Sequence, residues 1–274
     1  MIDSCVAPST LAESAWPIAT GSMREKSVSD QEIQLLETPG CLEIRFNRPE
    51  RKNAITLAMY REMIAALERA SASDDIRVVL FTGEGETFCA GNDLKDFLAV
   101  AQTGATEAID FIRAVARFDK PLVAAVQGAA VGIGTTMLFH CDLVYAADDA
   151  QFTMPFVNLG LVPEGGSSLL APAVFGRAKA AELLLLGDPL SASDAEAAGF
   201  VTRTMPASEV QEHARSRVAD LLKRAPQALA KSRKLLADNR EAVLAQIDRE
   251  AEVFAGALKG SEVQQAIAAF FARK

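Results

Sequence analysis

Polar and apolar residues alternate along two short stretches of the chain, residues 32–36 and 41–46. This period of two is typical of strands that bury one face, and turn-forming residues lie between the stretches at 38–40. The pattern therefore predicts a β-hairpin. Apolar residues then recur every three or four positions over residues 56–70, which predicts an amphipathic helix capped by Thr56.

Later in the chain, uninterrupted apolar runs at residues 77–82 and 122–126 predict strands that are buried on both faces. A helix over residues 106–118 should stop before Pro121, because proline disrupts a helix interior. The remaining predicted strands are residues 142–147, 151–154 and 201–204, and the remaining predicted helices are residues 135–139, 177–186 and 191–199.

The last part of the chain, from about residue 208 onward, is rich in Ala, Leu, Lys, Arg and Glu and predicts helices only. Pro226, Gly256 and Gly260 are expected to interrupt it. The whole pattern predicts an α/β protein in three parts. These are a poorly ordered extension at residues 1–30, a core of short strand pairs and helices at residues 31–207, and a helical region at residues 208–274.

Composition and charge exclude several classes of function. The 274 residues are 50% hydrophobic and 23% charged, as in a globular protein, and a net charge of -8 with a pI near 5.0 argues against a nucleic-acid surface. No apolar run reaches the roughly 18 residues of a membrane span, and the N-terminus shows no secretory pattern. The 4 cysteines form no paired motif, so we expect neither a metal site nor a disulfide, and a reducing, cytoplasmic location.

The stretch that organises the chain is residues 127–137, where an apolar strand leads through Gly128, Gly132 and Gly134 toward a helix. Closely spaced glycines let the backbone bend sharply or approach a ligand. Unpaired N–H groups at the start of a helix favour a negative oxygen. The alternative is a tight turn that only packs the helix against the sheet.

A second glycine turn and an isolated carboxylate add to this stretch. Residues 88–94 contain Gly91 and end near Asp93, which is placed to cap a short helix. The loop at residues 158–168 carries Glu164. A glutamate at such a position often caps the following helix, because carboxylates stabilise helix N-termini. Beside two glycine turns, a catalytic role is the alternative to this capping interpretation.

Several short motifs occur along the chain in a fixed order. They are Asn-Arg-Pro at 47–49, Cys-Ala-Gly-Asn-Asp-Leu at 89–94, Gln-Gly-Ala-Ala-Val-Gly at 127–132, Cys-Asp at 141–142 and Pro-Glu-Gly-Gly-Ser-Ser at 163–168. In this order they resemble the enoyl-CoA hydratase/isomerase (crotonase) family. The resemblance implies a spiral of strand–strand–helix turns, a helical C-terminal region used in trimerisation, and a homotrimer or hexamer. It also implies acyl-CoA thioester substrates, so CoA is part of the substrate and no separate cofactor is expected.

The resemblance also assigns site residues. The backbone amides of Asn92 and Ile133 would hold the thioester oxygen as it becomes an enolate, so neither position needs a particular side chain. The positions assigned to CoA or acyl binding are Lys52, Ala54, Ile55, Ala90, Gly91, Asp93, Leu94, Lys95, Gly132, Thr136, Phe156 and Leu161. The two lysines in this set are expected near CoA phosphates, and the alternative is that they are simply solvated.

Two positions depart from the family's hydratases, which use a pair of glutamates to handle water and proton. Thr136 and Phe156 stand where those glutamates would be. Water addition needs a positioned acid and base, each commonly worth ~10²–10⁴-fold in rate. A hydratase mechanism with two carboxylates is therefore not expected.

The remaining carboxylate, Glu164, resembles the base of delta-3,delta-2-enoyl-CoA isomerases, most closely the peroxisomal-type branch. The resemblance implies that Glu164 takes a proton from C2 of a 3-enoyl-CoA and returns it at C4, while the amides of Asn92 and Ile133 hold the dienolate. Apolar neighbours such as Phe156 and Leu161 should raise the pKa of Glu164 toward neutrality.

Other functions stay open on the sequence alone. A different chemistry of the same family, or a non-catalytic acyl-CoA-binding homologue, would also lack the hydratase glutamates. A hydrolase would need a Ser-His-Asp set from Ser167 or Ser168 with His140 and Asp142, although packing already explains the histidine and the aspartate. Cys89 is expected to be a small core residue.

Overall fold

The computed structural model describes residues 31–97, 106–237 and 239–272, with side chains through residue 266. The extension predicted at residues 1–30 lies outside this range. The strands are β1 (Ile33–Thr38), β2 (Gly40–Phe46), β3 (Ile76–Gly83), β4 (Leu122–Val126), β5 (Ala129–Val131), β6 (Leu143–Ala147), β7 (Gln151–Thr153), β8 (Leu190–Ser191) and β9 (Arg203–Met205).

The helices alternate with these strands and then follow one another to the C-terminus. They are α1 (Leu57–Ala72), α2 (Glu107–Arg117), α3 (Ile133–Thr136), α4 (Ser167–Ala181), α5 (Ala192–Ala197), α6 (Val210–Leu222), α7 (Pro226–Leu236), α8 (Arg240–Leu258) and α9 (Ser261–Ala272). Short 3₁₀ helices lie at Pro49–Arg51, Met137–His140 and Val157–Leu159, and a π-helical turn lies at Glu182–Leu186.

The strands form two sheets. The larger is 6-stranded in the order β1-β2-β3-β4-β6-β9, and the smaller is 3-stranded in the order β5-β7-β8. The β1–β2 pair is the predicted antiparallel hairpin, with Ile33 opposite Phe46 and Thr38 opposite Cys41. From β2 onward the larger sheet is parallel, so the chain returns through helices between its strands.

Buried side chains lie on both faces of the larger sheet. Strand β4 is buried along its whole length, as its unbroken apolar run predicted. On one face, a large core forms with α1 and α2 and includes Tyr60, Phe81 and Phe111. On the other face, a smaller cluster forms beneath α6, where Tyr145 meets Val218 and neighbouring apolar side chains.

The helical region after residue 208 packs closely on the strand-containing part. Helix α6 lies against β3, β4 and β6, and α8 lies against α2 and α4. Side chains from α6 and α8 complete both hydrophobic clusters. The amino-acid composition changes near residue 208, but the hydrophobic clusters contain side chains from both sides of that position.

Several predicted boundaries are wrong in detail. Gly256 lies inside α8 and does not break it, whereas Gly260 does separate α8 from α9. Pro226 does interrupt the helical region as predicted, since α6 ends at Leu222 and Pro226 begins α7, where the first helical position needs no N–H donor. The strand predicted at residues 201–204 is instead Arg203–Met205, and a 3₁₀ helix replaces α-helix from Met137. In the described ranges, no helix has the length and apolar character needed to cross a membrane.

Candidate active site

The two glycine turns lie side by side. Cys89 pairs with Ala130 in an isolated parallel bridge, through Cys89 N–Ala129 O at 3.1 Å and Val131 N–Cys89 O at 2.9 Å. Gly91 has φ +88°, and a Cβ there would lie 3.0 Å from the Val131 carbonyl oxygen. Only glycine fits this close approach without strain, which explains why the second turn requires Gly91.

The amide of Asn92 is left without a protein acceptor by the pairing around it. Ile55 N donates to Gly91 O at 2.8 Å and Asp93 N donates to Ile55 O at 2.8 Å, so the bonds use the residues on either side. Within the described ranges, no hydrogen bond from Asn92 N is formed. The Tyr60 hydroxyl donates to Asn92 Oδ1 at 2.6 Å and fixes this residue from α1.

The amide of Ile133 is unpaired for a different reason. Gly132, with φ 55° and ψ -120°, turns the chain into α3, and its own N–H donates to Thr153 O at 2.8 Å. Thr135 N and Thr136 N both donate to Gly132 O. Ile133 N opens the helix and, among the described residues, has no acceptor, as is usual for the first N–H groups of a helix.

Glu164 is a buried carboxylate, 5% exposed. Its Oε1 accepts a hydrogen bond from the Thr136 hydroxyl at 2.5 Å, and its Oε2 has no partner in the described part of the chain. The pKa of Glu164 is raised to about 7: burial is the main cause, the charge of Glu250 adds to the rise, and the Thr136 hydrogen bond opposes it. The pKa of this carboxyl therefore lies close to neutral pH, the range that suits a proton carrier.

The backbone turn that carries Glu164 is held by other residues. His140 Nε2 donates to Gly165 O at 2.9 Å, and Ser167 Oγ donates to Glu164 O at 2.7 Å. Glu250 from α8 accepts from Gly166 N at 2.6 Å and Ser168 N at 3.0 Å. Glu250, and not Glu164, thus caps α4, so the capping interpretation of Glu164 is wrong and its side chain is free for another role.

Two cavities, of about 230 Å³ and about 330 Å³, meet at this carboxylate. Asn92, Ile133 and Glu164 line both of them. Apolar side chains form most of the remaining walls, including Ile109 and Leu258 in the first cavity. A ligand in these cavities would therefore place a polar centre beside two free amides and a base, with apolar groups on either side.

Comparison with known proteins assigns this arrangement to a family. The profile described as enoyl-CoA hydratase/isomerase matches residues 37–274. The chain belongs to the enoyl-CoA hydratase/isomerase family. The structure called OdaA from Pseudomonas aeruginosa is 42% identical, with a TM-score of 0.84 over 88% of this chain and 98% of that one, so the fold is a crotonase fold.

Curated relatives of this family member include isomerases. "Enoyl-CoA delta isomerase 2" of Rattus norvegicus is 39% identical over 84% of this chain and 60% of its own length. The Homo sapiens protein of the same name is 37% identical over 96% of this chain and 68% of its own length. The chain thus spans about three fifths to two thirds of these longer relatives.

Most positions that the family resemblance assigned to substrate binding lie around these cavities. Thr136 lies behind Glu164 and contacts its carboxylate instead of lining a cavity. Ile55 and Asp93 line the first cavity, and Ala90, Gly91, Leu94, Gly132, Phe156 and Leu161 line the second. Asp93 Oδ1 also accepts a hydrogen bond from Lys95 N at 3.0 Å. Asp93 therefore caps the helical turn that begins at Leu94, as predicted.

The remaining three assigned positions, Lys52, Ala54 and Lys95, line neither cavity. Lys52 lies in a separate open hollow whose lining includes Glu86 and Glu212, and its carbonyl accepts from Ala90 N at 2.9 Å. The structure therefore does not bring these lysines to the carboxylate, and their contact with CoA stays a prediction.

The Ser-His-Asp set that would mark a hydrolase is not assembled in this family member. The histidine, His140, bonds to Gly165 O, while Asp142 accepts from Arg233 Nε at 2.7 Å. Ser168 Oγ donates to Glu250. Burial lowers the pKa of His140 to about 4, which suits a neutral structural role.

Sequence analysis missed Tyr60, Glu250 and Phe254 as site residues. Tyr60 falls within the amphipathic helix predicted at residues 56–70, and nothing near Glu250 in the chain marks it, since its partner Gly166 lies 84 positions away. Phe254 lines both cavities from α8.

Cys89 is fully buried, as expected of a core residue. In the described ranges, no group of three or more His, Cys, Asp or Glu is arranged to hold a metal.

Proposed function

We propose that this protein shifts the double bond of a 3-enoyl-CoA to give the 2-trans-enoyl-CoA, with Glu164 as its single base. The observation that carries the proposal is one buried carboxylate with one free oxygen, at a cavity junction that it shares with two unpaired amides. Delta isomerases among the curated relatives support the same reaction class.

The proposed reaction needs one proton carrier and no water. The ionised Glu164 removes a proton from C2, and the C2–H electrons form the C1–C2 double bond as the thioester oxygen becomes negative. The amides of Asn92 and Ile133 donate hydrogen bonds to that oxygen in the dienolate. The dienolate then collapses: the carbonyl re-forms, the double bond moves to C2–C3, and C4 takes the proton from Glu164.

Hydration is disfavoured because neither position that the family resemblance assigns to a water-handling glutamate carries a carboxylate. Thr136 and Phe156 occupy these two positions, and Phe156 is buried. Glu250 is nearby, but its oxygens accept from Gly166 N, Ser168 N and the Ser168 hydroxyl. Glu250 also lines neither cavity, so it is not placed to activate water beside a bound substrate.

The substrate class belongs to the same proposal. An acyl-CoA thioester fits a junction with apolar cavities on either side of a polar centre. We also propose a homotrimer or hexamer and a cytoplasmic location, both of which were expected from the sequence.

The test compares Glu164→Gln with the natural protein on 3-hexenoyl-CoA and, in parallel, on 2-hexenoyl-CoA in water. We expect the natural protein to isomerise the first substrate and to hydrate the second far more slowly. Glu164→Gln should lose ~10²–10⁴-fold in isomerisation, the usual value of a general base. A variant that folds normally and retains near-normal turnover contradicts the assignment.

The same assays separate the alternatives. Faster hydration than isomerisation in the natural protein would favour a hydratase-like chemistry. Binding of acyl-CoA without turnover of either substrate would indicate a non-catalytic homologue.

A further inference from the structure

Residues of two different elements hold the Glu164 carboxylate and the backbone turn that carries it. Thr136 of α3 donates its hydroxyl hydrogen to Oε1 at 2.5 Å. Glu250 of α8 is fixed to Gly166 N, two residues beyond Glu164, at 2.6 Å. One neighbour is a hydrogen-bond donor and the other is an acid group, so their effects on a charge at Glu164 are opposite in sign.

We propose that Thr136 and Glu250 are positioning residues that set the base strength of Glu164 from opposite directions. The Thr136 hydroxyl holds one carboxylate oxygen and favours the ionised form, while the buried Glu250 carboxylate opposes ionisation. The proposal rests on the proposed function only for its kinetic readout, because the titration of Glu164 can be measured directly.

The Thr136 contact also decides which oxygen of Glu164 acts as the base. Oε1 is occupied, and Oε2 is the buried atom without a partner among the described residues. A single free oxygen that lies between C2 and C4 is enough for a 1,3 proton shift. Threonine therefore replaces the hydratase glutamate at this position with a group that orients the base and does not compete with it.

Glu250 is held in place by three hydrogen bonds. It is 6% exposed, and it accepts from Gly166 N, Ser168 N and the Ser168 hydroxyl at the positive end of α4. Gln246 Nε2 donates to the same serine hydroxyl at 2.8 Å and completes the network. A negative charge fixed this near the Glu164 turn raises the cost of a second one.

Other titratable groups around Glu164 come from several elements. Tyr60 lies on α1, Cys89 lies before the second glycine turn, and His140 binds Gly165 O. Burial keeps Cys89 and His140 neutral, with pKa values of about 12 and about 4, and it raises the pKa of Tyr60 well above its ordinary value. The charged residues on the cavity walls are Asp93, Asp96, Arg113 and Lys259. None of these groups is among the causes of the raised pKa of Glu164, which are burial, Thr136 and Glu250, and the last two act in opposite directions.

The experiment measures the midpoint of the acid limb of the kcat–pH profile with 3-hexenoyl-CoA, and the Glu164 pKa by carbon-13 NMR of glutamate-labelled protein. Glu164→Gln identifies the Glu164 resonance. Thr136→Val should raise the midpoint by about one pH unit, because it removes a hydrogen bond to a charged group. Below the midpoint its kcat should fall about tenfold relative to that of the natural protein. Thr136→Ser should restore the natural midpoint.

Glu250→Gln should lower the midpoint by about half a unit to one unit. Glu250→Asp shortens the reach to α4 but keeps the carboxylate. Because the charge is kept, its midpoint should stay near that of the natural protein. If Glu250 acted only by closing α8 over the site, Asp and Gln would shift the midpoint alike, and the charge argument would fail. The double variant Thr136→Val with Glu250→Gln should return close to the natural midpoint.

Two matched controls test for indirect effects. Thr135→Val removes the neighbouring hydroxyl, which bonds to Ala130 O at 2.6 Å and not to Glu164. Glu252→Gln removes one charge from the exposed side of the same helix as Glu250. Neither control should move the midpoint by more than about 0.2 pH units, because neither residue contacts the Glu164 turn and exposed charges are screened.

Shifts in the same direction for Thr136→Val and Glu250→Gln, or control shifts as large as theirs, would overturn the proposal. If the natural protein does not turn over 3-hexenoyl-CoA, the proposed function fails. The NMR titration then still decides whether these residues set the Glu164 pKa.

Discussion

Two glutamates of this protein are buried to nearly the same extent, yet their surroundings have opposite consequences. Glu43, on β2 under α6, is 7% exposed, and Glu164, at the cavity junction, is 5% exposed. Glu43 accepts from Arg215 Nη2 at 3.0 Å, Arg45 Nη2 at 2.8 Å and Thr82 Oγ1 at 2.9 Å. Among the described residues, Glu164 has one donor, Thr136, and its second oxygen has no partner.

The pKa values follow from those partners. Burial by itself raises the pKa of Glu43, but the hydrogen bonds and charges of Arg215 and Arg45 outweigh it and hold the pKa below its usual value. Burial raises the pKa of Glu164 to about 7, with only Thr136 acting against it. Burial thus does not distinguish a structural carboxylate from a reactive one. What distinguishes them is whether positive charges and donors saturate the carboxylate.

The largest expected difference is in activity. Under the proposed function, Glu164→Gln loses ~10²–10⁴-fold in kcat on 3-hexenoyl-CoA. Glu43→Gln should keep kcat within about twofold at a temperature where it is folded, because Glu43 lines neither cavity. Steady-state kinetics of the two purified variants measures this contrast, and equal losses would remove the distinction between the two sites.

The pH dependence of stability should also differ in sign. The folded pKa of Glu164 is above its unfolded value of 4.5, so its contribution to stability is fully present below pH 4.5 and is lost as pH rises to about 7. As pH rises from 4.5 to 8, the free energy of unfolding of Glu164→Gln should therefore increase by on the order of 3 kcal/mol relative to that of the natural protein. Urea unfolding at several pH values measures the gain, and a flat difference would contradict the raised pKa.

For Glu43 the folded pKa is depressed, so its contribution is present above the unfolded value of 4.5 and is lost as pH falls through the folded pKa. Glu43→Gln should cost about 2 kcal/mol at pH 7, a value reduced from that of a fully buried pair because Arg45 and Arg215 remain partly exposed. The cost should shrink on acidification below pH 4.5. Thermal or urea unfolding at pH 7 and pH 3.5 provides the check, with Glu37→Gln on the surface as the control.

The smallest expected effect concerns the threonine beside each glutamate. Thr82→Val should destabilise the protein by about 1 kcal/mol, the usual net value of one hydrogen bond, and leave the kcat–pH profile unchanged. Thr136→Val should instead shift that profile. If Thr82→Val shifted the kcat–pH profile as well, the shift seen for Thr136→Val would reflect a general loss of structure and not its contact with Glu164.

The local sequence predicted much of the fold correctly. The hairpin of β1 and β2, the Thr56 cap of α1 and the fully buried β4 all follow from patterns a few residues long. The errors lie where context overrides a local preference, as at Gly256, which α8 tolerates in its interior. A glycine costs a helix about 1 kcal/mol, and packing of the surrounding turns offsets that amount.

The candidate site shows the same division. The glycine turns are visible in the letters because an L-residue at Gly91 would meet the Val131 carbonyl at 3.0 Å. The contact of Thr136 with Glu164 joins residues 28 positions apart, and that of Glu250 with Gly166 joins residues 84 apart. No periodicity reports such pairs, since they depend on how helices from distant segments pack.

By itself, the sequence determined the alternation of strands and helices, the two glycine turns and the lack of paired hydratase carboxylates, because each depends on steric or chemical properties of neighbouring residues. Tertiary structure alone decided that Glu250 caps α4 and that Glu164 keeps one oxygen free at the cavity junction. The physical reason is that the pKa and the free lone pairs of a carboxylate depend on groups brought to it in space, and folding brings those groups from remote parts of the chain.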